Sequence, residues 1–180
     1  ESWNTLFSDL ISTAFPFTPW IFSIRDPIEV VVSVMEDPNP PTWYKYPNTA
    51  SNPFAPFIGH ELGLIDSPGY HFSSFYMAFC EAIMRLNQKN GAIVFYEELP
   101  GAVWEVIAPH FGLSITDKEI IRMTEVKKYY SKSTYKDTIL FSQDTLQKHE
   151  RINNGVKAFV NEYARPLFNL MLSKRYIQSK

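Results

Sequence analysis

The sequence predicts an α/β fold in which a parallel sheet is flanked by helices. Three observations carry that prediction. Residues 20–25 and 92–96 are short runs with apolar residues on both faces, as strands buried in a parallel sheet have. Each run stops at a polar turn, Arg25-Asp26-Pro27 in one case and Glu97-Glu98-Leu99-Pro100 in the other, and a helix-spaced stretch follows. Helical patterns also lie before and between the two runs, which is the order of crossover connections.

Taken in order, Trp3, Leu6, Phe7, Leu10, Ile11 and Ala14 recur at helical spacing and predict an amphipathic helix over 3–14. Phe15-Pro16-Phe17-Thr18-Pro19 breaks it. After the first strand, Asp26 is placed as an N-cap and Pro27 as the first helical residue of a helix that runs to about Glu36. Residues 37–69 hold seven of the 13 prolines and no sustained periodicity, so they read as a long loop. Its aromatics (Trp43, Tyr44, Tyr46, Phe54, Phe57) leave two readings open, an irregular cover for the core or a lid over a substrate. A helix is expected over 70–90, closed by Asn90-Gly91. Helices over 101–111, ended near Gly112, and over 117–130, opened by the capping box Thr116–Glu119, come next. Residues 131–143 are polar and loop-like, and a final helical stretch over 144–175 is expected to break near Pro166.

The chain has 180 residues, which suits a single domain, 1–180, with a substantial core. Two strands are too few for a stable sheet of this kind. We therefore expect further strands, either within 37–69 and 131–143 or before residue 1, since the chain opens Glu1-Ser2-Trp3 without an initiator Met. A formal charge of -2 argues against a broad basic surface for nucleic acid. It leaves room for a local anion pocket, because one arginine and a few backbone N–H groups suffice for that. Cys80, the single cysteine, sits in an apolar helical stretch and reads as a buried thiol, which favours a reducing, cytoplasmic compartment. No run approaches the roughly 18 apolar residues of a membrane span, and no signal peptide is visible, so no membrane partner is expected.

The chemistry concentrates at the end of the first strand. Arg25 stands at its carboxyl end, and Ser33 lies eight residues on, about two helical turns into the next helix. A guanidinium gives a phosphate two parallel charged hydrogen bonds, and a hydroxyl adds a short one. In open α/β sheets ligands bind just outside the carboxyl ends of the strands. Arg25 has an alternative use, a strand-end salt bridge to Glu97 or Asp26. Ser33 can equally be an ordinary small helical residue, and Tyr96 a core residue with its hydroxyl at the rim.

The stretch Ile21-Phe22-Ser23-Ile24-Arg25-Asp26-Pro27, with Ser33 eight places after the arginine, resembles the 3'-phosphate-binding segment of sulfotransferases that use 3'-phosphoadenosine 5'-phosphosulfate (PAPS). Ala92-Ile93-Val94-Phe95-Tyr96-Glu97-Glu98-Leu99 is similar to that family's strand ending in Tyr-Glu-Asp/Glu-Leu, and Val106-Ile107-Ala108-Pro109-His110-Phe111-Gly112-Leu113 to the helix end that follows it. The resemblance covers roughly residues 10–130. It implies a P-loop-hydrolase-like sulfotransferase fold, here incomplete at the N-terminus, with PAPS as co-substrate. Arg25 and Ser33 would hold the 3'-phosphate and Tyr96 would lie near the adenine. The implied activity is transfer of a sulfuryl group to a hydroxyl or amine of a small molecule or carbohydrate.

Three departures from the family pattern accompany it. No glycine precedes Gly59, so a phosphosulfate-cradling loop, which needs glycines to turn backbone N–H groups toward the phosphate, is not in this sequence. No histidine precedes His60, where the family's base would stand, and no catalytic residue is assigned. The family's closing Arg-Lys-Gly segment has no clear match, although Lys127, Lys128, Lys132 and Lys136 lie in that region. The alternative is a non-catalytic sulfotransferase-like domain, fused to or associated with another domain, that binds or scaffolds a partner. Histidines 60, 71, 110 and 149 lack metal-ligand spacing. His60 and His71 are candidates to face an acceptor hydroxyl.

Overall fold

The structure, a computed structural model, describes residues 2–37, 68–86, 90–126 and 145–178. Within them the chain is mostly helical around a two-stranded parallel sheet, a mixed α/β arrangement. Further strands were expected in 37–69 and 131–143, stretches that lie, but for Asp37, Pro68 and Gly69, outside the described residues, as does most of the candidate lid.

The first helical stretch is in two parts, a 3₁₀ turn over Ser2–Phe7 and then α1 (Ser8–Ala14). Leu6 is buried there, whereas Phe7, Leu10 and Ile11 face out. Strand β1 (Trp20–Ile24) leads through Arg25 and Asp26 into α2 (Pro27–Met35). The start of α2 follows from three residues. Pro27 has the φ of a first helical position and no N–H to leave unsatisfied. The Asp26 carboxylate accepts from the N–H of Ile28 at 2.9 Å and of Glu29 at 3.3 Å.

Helix α3 (Pro68–Arg85) leads to strand β2 (Gly91–Phe95), which pairs parallel with β1 in the register Trp20↔Gly91 to Ile24↔Phe95. Asn90-Gly91 is therefore not the helix stop expected from sequence. The helix ends at Arg85, and Gly91 is the first strand residue. The Trp20 ring lies so close over Gly91 that a Cβ there would come within 2.0 Å of it. Asn90 closes this end of the sheet, its side-chain amide donating to the Pro16 carbonyl at 2.8 Å.

Beyond β2 a 3₁₀ turn (Tyr96–Glu98) is fixed by the Glu98 carboxylate, which accepts from Phe95 N–H at 3.1 Å. Gly112, at φ 68°, ends the next helical segment in the left-handed conformation that glycine adopts without a Cβ penalty. Helix α4 (Asp117–Val126) opens with the expected reciprocal box. Glu119 accepts from Thr116 N–H at 2.8 Å, and Glu119 N–H reaches the Thr116 hydroxyl at 3.4 Å. Helices α5 (Thr145–Arg151), α6 (Asn154–Phe159) and α7 (Arg165–Gln178) complete the described chain.

The break expected near Pro166 falls elsewhere, at Ile152-Asn153, where the Asn153 side chain caps α6 by accepting from Gly155 N–H. At Pro166 the helix widens and continues. Residues Val160–Ala164 form a π turn, and the residue before the proline, Arg165, bonds to the carbonyl five back, on Val160. Pro109 shows the same device: Val103–Ile107 is a π turn and Ala108 bonds back to Val103. A proline lacks the N–H for an i−4 bond and crowds the turn before it, and a wider turn absorbs both defects without breaking the rod.

Ile24, Ile28 and Val31 from the β1–α2 corner meet Tyr76, Cys80 and Ile83 of α3. Phe95 of β2 packs edge-on against Phe168 of α7, ring centroids 5.6 Å apart. Val31, Val160 and Met171 are wholly buried. A two-stranded sheet is marginal alone, and here helices from both halves of the chain cover its carboxyl end, where Ile24, Ile93, Val94 and Phe95 are buried. Trp20, Ile21 and Phe22 are half-buried and Ser23 is exposed, so β1 is less buried than its sequence predicts. Among the described residues no helix is long and apolar enough to cross a membrane.

Gly91→Ala is expected to lose about 1–3 kcal/mol in urea denaturation, because the Trp20 ring must move to admit the methyl group. A second expectation concerns alkali. Burial pushes the Cys80 thiol up to about 12 and raises the Tyr76 hydroxyl above its ordinary value. Below pH 9 the thiol keeps its proton in both states. Between 9 and 12 only the unfolded thiol ionises, so stability falls as pH rises, by about 1.4 kcal/mol per pH unit for this group. Urea midpoints at pH 8, 9.5 and 11 check it, and Cys80→Ala should flatten the decline.

Candidate functional site

Because β1 and β2 run parallel and Ile24 pairs with Phe95, the residues that follow them, Arg25 and Tyr96, leave the same edge of the sheet side by side. The two are in contact. The Arg25 guanidinium lies over the Tyr96 ring, 4.5 Å from its centroid. Such stacking is attractive because the ring face is electron-rich. The backbone beneath is held from α3, where the Tyr76 hydroxyl donates to the Arg25 carbonyl at 2.9 Å.

The charge of Arg25 is engaged by a residue that the sequence analysis did not name. Neither Glu97 nor Asp26 pairs with it; Glu29 does. Arg25 Nε donates to Glu29 Oε2, and one Nη stands in ion-pair contact with the same oxygen. The Glu29 side chain is only 5% exposed, so this pairing answers the cost of burying its carboxylate. Arg25 is more open, at 23%, and its second terminal nitrogen, Nη1, has no hydrogen-bond or ion-pair partner among the described residues.

Asp26 points the other way. Besides capping α2 it accepts both terminal nitrogens of Arg165, at 2.5 and 3.2 Å, across 139 residues of sequence. His149 stands behind it. Its Nε2 is buried without a hydrogen-bond partner and lies 3.7 Å from the Asp26 carboxylate. The amino end of α2, which would otherwise attract an anion, is thus filled by its own capping carboxylate.

Of the residues expected at the site, Arg25 and Tyr96 are brought together. Ser33 lies half-buried in α2, two turns beyond Arg25 and on the same row of the helix as Glu29. His71 is buried in α3, 2% exposed, and is not a surface group facing an acceptor. Glu97 is exposed, and Glu98 serves the turn described above. His60 and the lysines 127, 128, 132 and 136 lie outside the described residues. Glu29 was detectable in sequence as a carboxylate four residues after the arginine, the spacing at which helical side chains meet. Arg165 and His149 carried no local signal.

Asp26→Ala should cost about 2–3 kcal/mol in chemical denaturation, because it removes a cap worth about 1 kcal/mol together with a part-buried ion pair. With the pair about a fifth exposed, a double-mutant cycle with Arg165→Ala is expected to give a coupling of about 1–2 kcal/mol. Comparison of the chain with protein-family models, with curated proteins and with solved structures returned no match.

Proposed function

We propose that the chain is a sulfotransferase-type domain that takes the 3'-phosphate of PAPS at the strand-end corner and passes the sulfuryl group to a hydroxyl or amine of a small-molecule or carbohydrate acceptor. One observation carries the proposal: Nη1 of Arg25, unbonded among the described residues, stands at the carboxyl edge of two parallel strands beside the exposed Tyr96. A 3'-phosphate fits there as an acceptor for Nη1, with the adenine near Tyr96 and Ser33 further along the same row. In the reaction the bond between sulfur and the bridging phosphate oxygen breaks, a bond from sulfur to the acceptor oxygen or nitrogen forms, and the acceptor proton leaves to solvent base. Adenosine 3',5'-bisphosphate is the other product. The contribution of these residues is positioning and charge stabilisation, which dominate transfers of this kind.

A second reading, a sulfotransferase-like module that binds without turnover, is favoured by the charge count. Arg25 and Arg165 are matched by Glu29 and Asp26, and the turn after β2 adds Glu97 and Glu98, so the corner carries no surplus of cations among the described residues. Attraction for a phosphate then rests on directed N–H groups and not on a net field.

Calorimetric titration with adenosine 3',5'-bisphosphate separates these readings from no site at all. Saturable binding is expected, weakened about 10- to 100-fold by Arg25→Ala, the range for a lost charge-assisted hydrogen bond. Ser33→Ala should cost a few-fold. Product formation from PAPS and an acceptor assigns the enzyme, and binding without it the module. Absence of saturable binding, or an Arg25→Ala variant that matches the unmodified protein, rejects both.

A further inference from the structure

We infer that Glu29 is a positioning residue for the nucleotide site: it aims the Arg25 guanidinium and thereby sets which ribose phosphate the site accepts. This rests on the function proposed above.

A guanidinium at the end of a flexible stem is a poor discriminator, since its donors follow whatever anion arrives. Here two contacts take that freedom away. The Tyr96 ring, 4.5 Å from the guanidinium carbon, fixes the plane of the group. The Glu29 oxygen, hydrogen-bonded to Nε and in ion-pair contact with one Nη, limits its rotation within that plane. Glu29 itself has little room to move. It is 4% exposed, its backbone N–H is tied to Asp26, and it sits in the first turn of α2, where the helix dipole favours a carboxylate. What remains of Arg25 is one edge, carrying Nη1, presented at a set angle.

The other role for Glu29 is competition, its carboxylate occupying the place of a phosphate. The geometry argues against it. Glu29 uses the Nε side of the guanidinium, and among the described residues nothing bonds the Nη1 side, the side on which a phosphate would be received with Glu29 in place. A held carboxylate lowers the net attraction for any dianion equally, wherever the phosphate sits on the ribose. An aimed edge favours one position over its neighbour.

The test compares two isomers of equal charge, adenosine 3',5'-bisphosphate and adenosine 2',5'-bisphosphate, on the full chain. The unmodified protein should prefer the 3' isomer. Glu29→Asp keeps the charge but shortens the reach by one methylene, and should cut that preference at least fivefold. Glu29→Gln keeps the reach without the charge. Its preference should stay within about twofold of the unmodified protein, even where both affinities rise. A fold defect would weaken both isomers together and leave the ratio alone.

A ratio untouched in Glu29→Asp, or one lost in Glu29→Gln and kept in Glu29→Asp, overturns the inference while nucleotide binding stands. If neither isomer binds the unmodified protein, or if Arg25→Ala binds both as well as it does, the proposed function falls and takes this role with it.

Discussion

The structure depends most on the carboxylate of Asp26. It is the point at which a strand becomes a helix, and it satisfies four donors at once: two backbone N–H groups at the head of α2 and two nitrogens of Arg165. The first pair makes the turn abrupt, so that Arg25 stays at the sheet edge and is not drawn into the helix. The second pair fastens that turn to the start of α7, whose Phe168 packs against the end of β2. Two strands with few lateral partners are held in register because the helix after one and the helix against the other share this anchor. The cost of desolvating an aspartate is met by this full set of donors, the condition under which a part-buried charge is tolerated.

Around that anchor the charged residues sort into two pairs, Asp26 with Arg165 and Arg25 with Glu29. The division follows from chain direction: Asp26 is the last residue before the helix and turns its side chain back over the N-terminus, while Glu29, one turn in, lies on the row that runs from Arg25 to Ser33. Swapping partners would leave Asp26 unable to cap α2. Local helix chemistry therefore decides which arginine pairs with which carboxylate, and leaves Arg25 with Glu29 at the exit of strand β1.

Much of this corner was legible in the sequence because its causes are local. Asp26 and Pro27 announce a helix start at any place in any chain, and Thr116 with Glu119 does the same for α4. The strands 20–25 and 92–96 were legible within one residue because β-branched and aromatic runs bounded by turns have few other uses. The errors share a physical origin. Asn90-Gly91 has the composition of a helix stop, yet Gly91 is there for the Trp20 ring that lies over it, a contact seventy residues away. Pro166 has the composition of a break, yet a π turn absorbs it, in a helix whose Val160 and Ala164 are packed into the core. The Asp26–Arg165 pair and the approach of His149 bridge more than 120 residues and leave no trace in spacing. Glu29 is different: its i, i+4 relation to Arg25 was in plain view. A buried fate for a carboxylate in a first helical turn is what the sequence pattern does not signal, since such residues are ordinarily solvated caps.

The pairing of both arginines with carboxylates bears on what kind of anion would suit the corner. A site with a surplus of cations binds polyanions broadly and loses them to salt. One whose charges are matched in pairs has little long-range pull. It must instead gain from short, directed hydrogen bonds, and those reward shape. In the function proposed above, Arg25 would serve this second kind of recognition, because Tyr96 and Glu29 each restrict the guanidinium before any ligand arrives. A group aimed in advance spends little entropy on binding, so a single edge of such a guanidinium would select among phosphates that a more strongly charged but mobile arginine accepts alike.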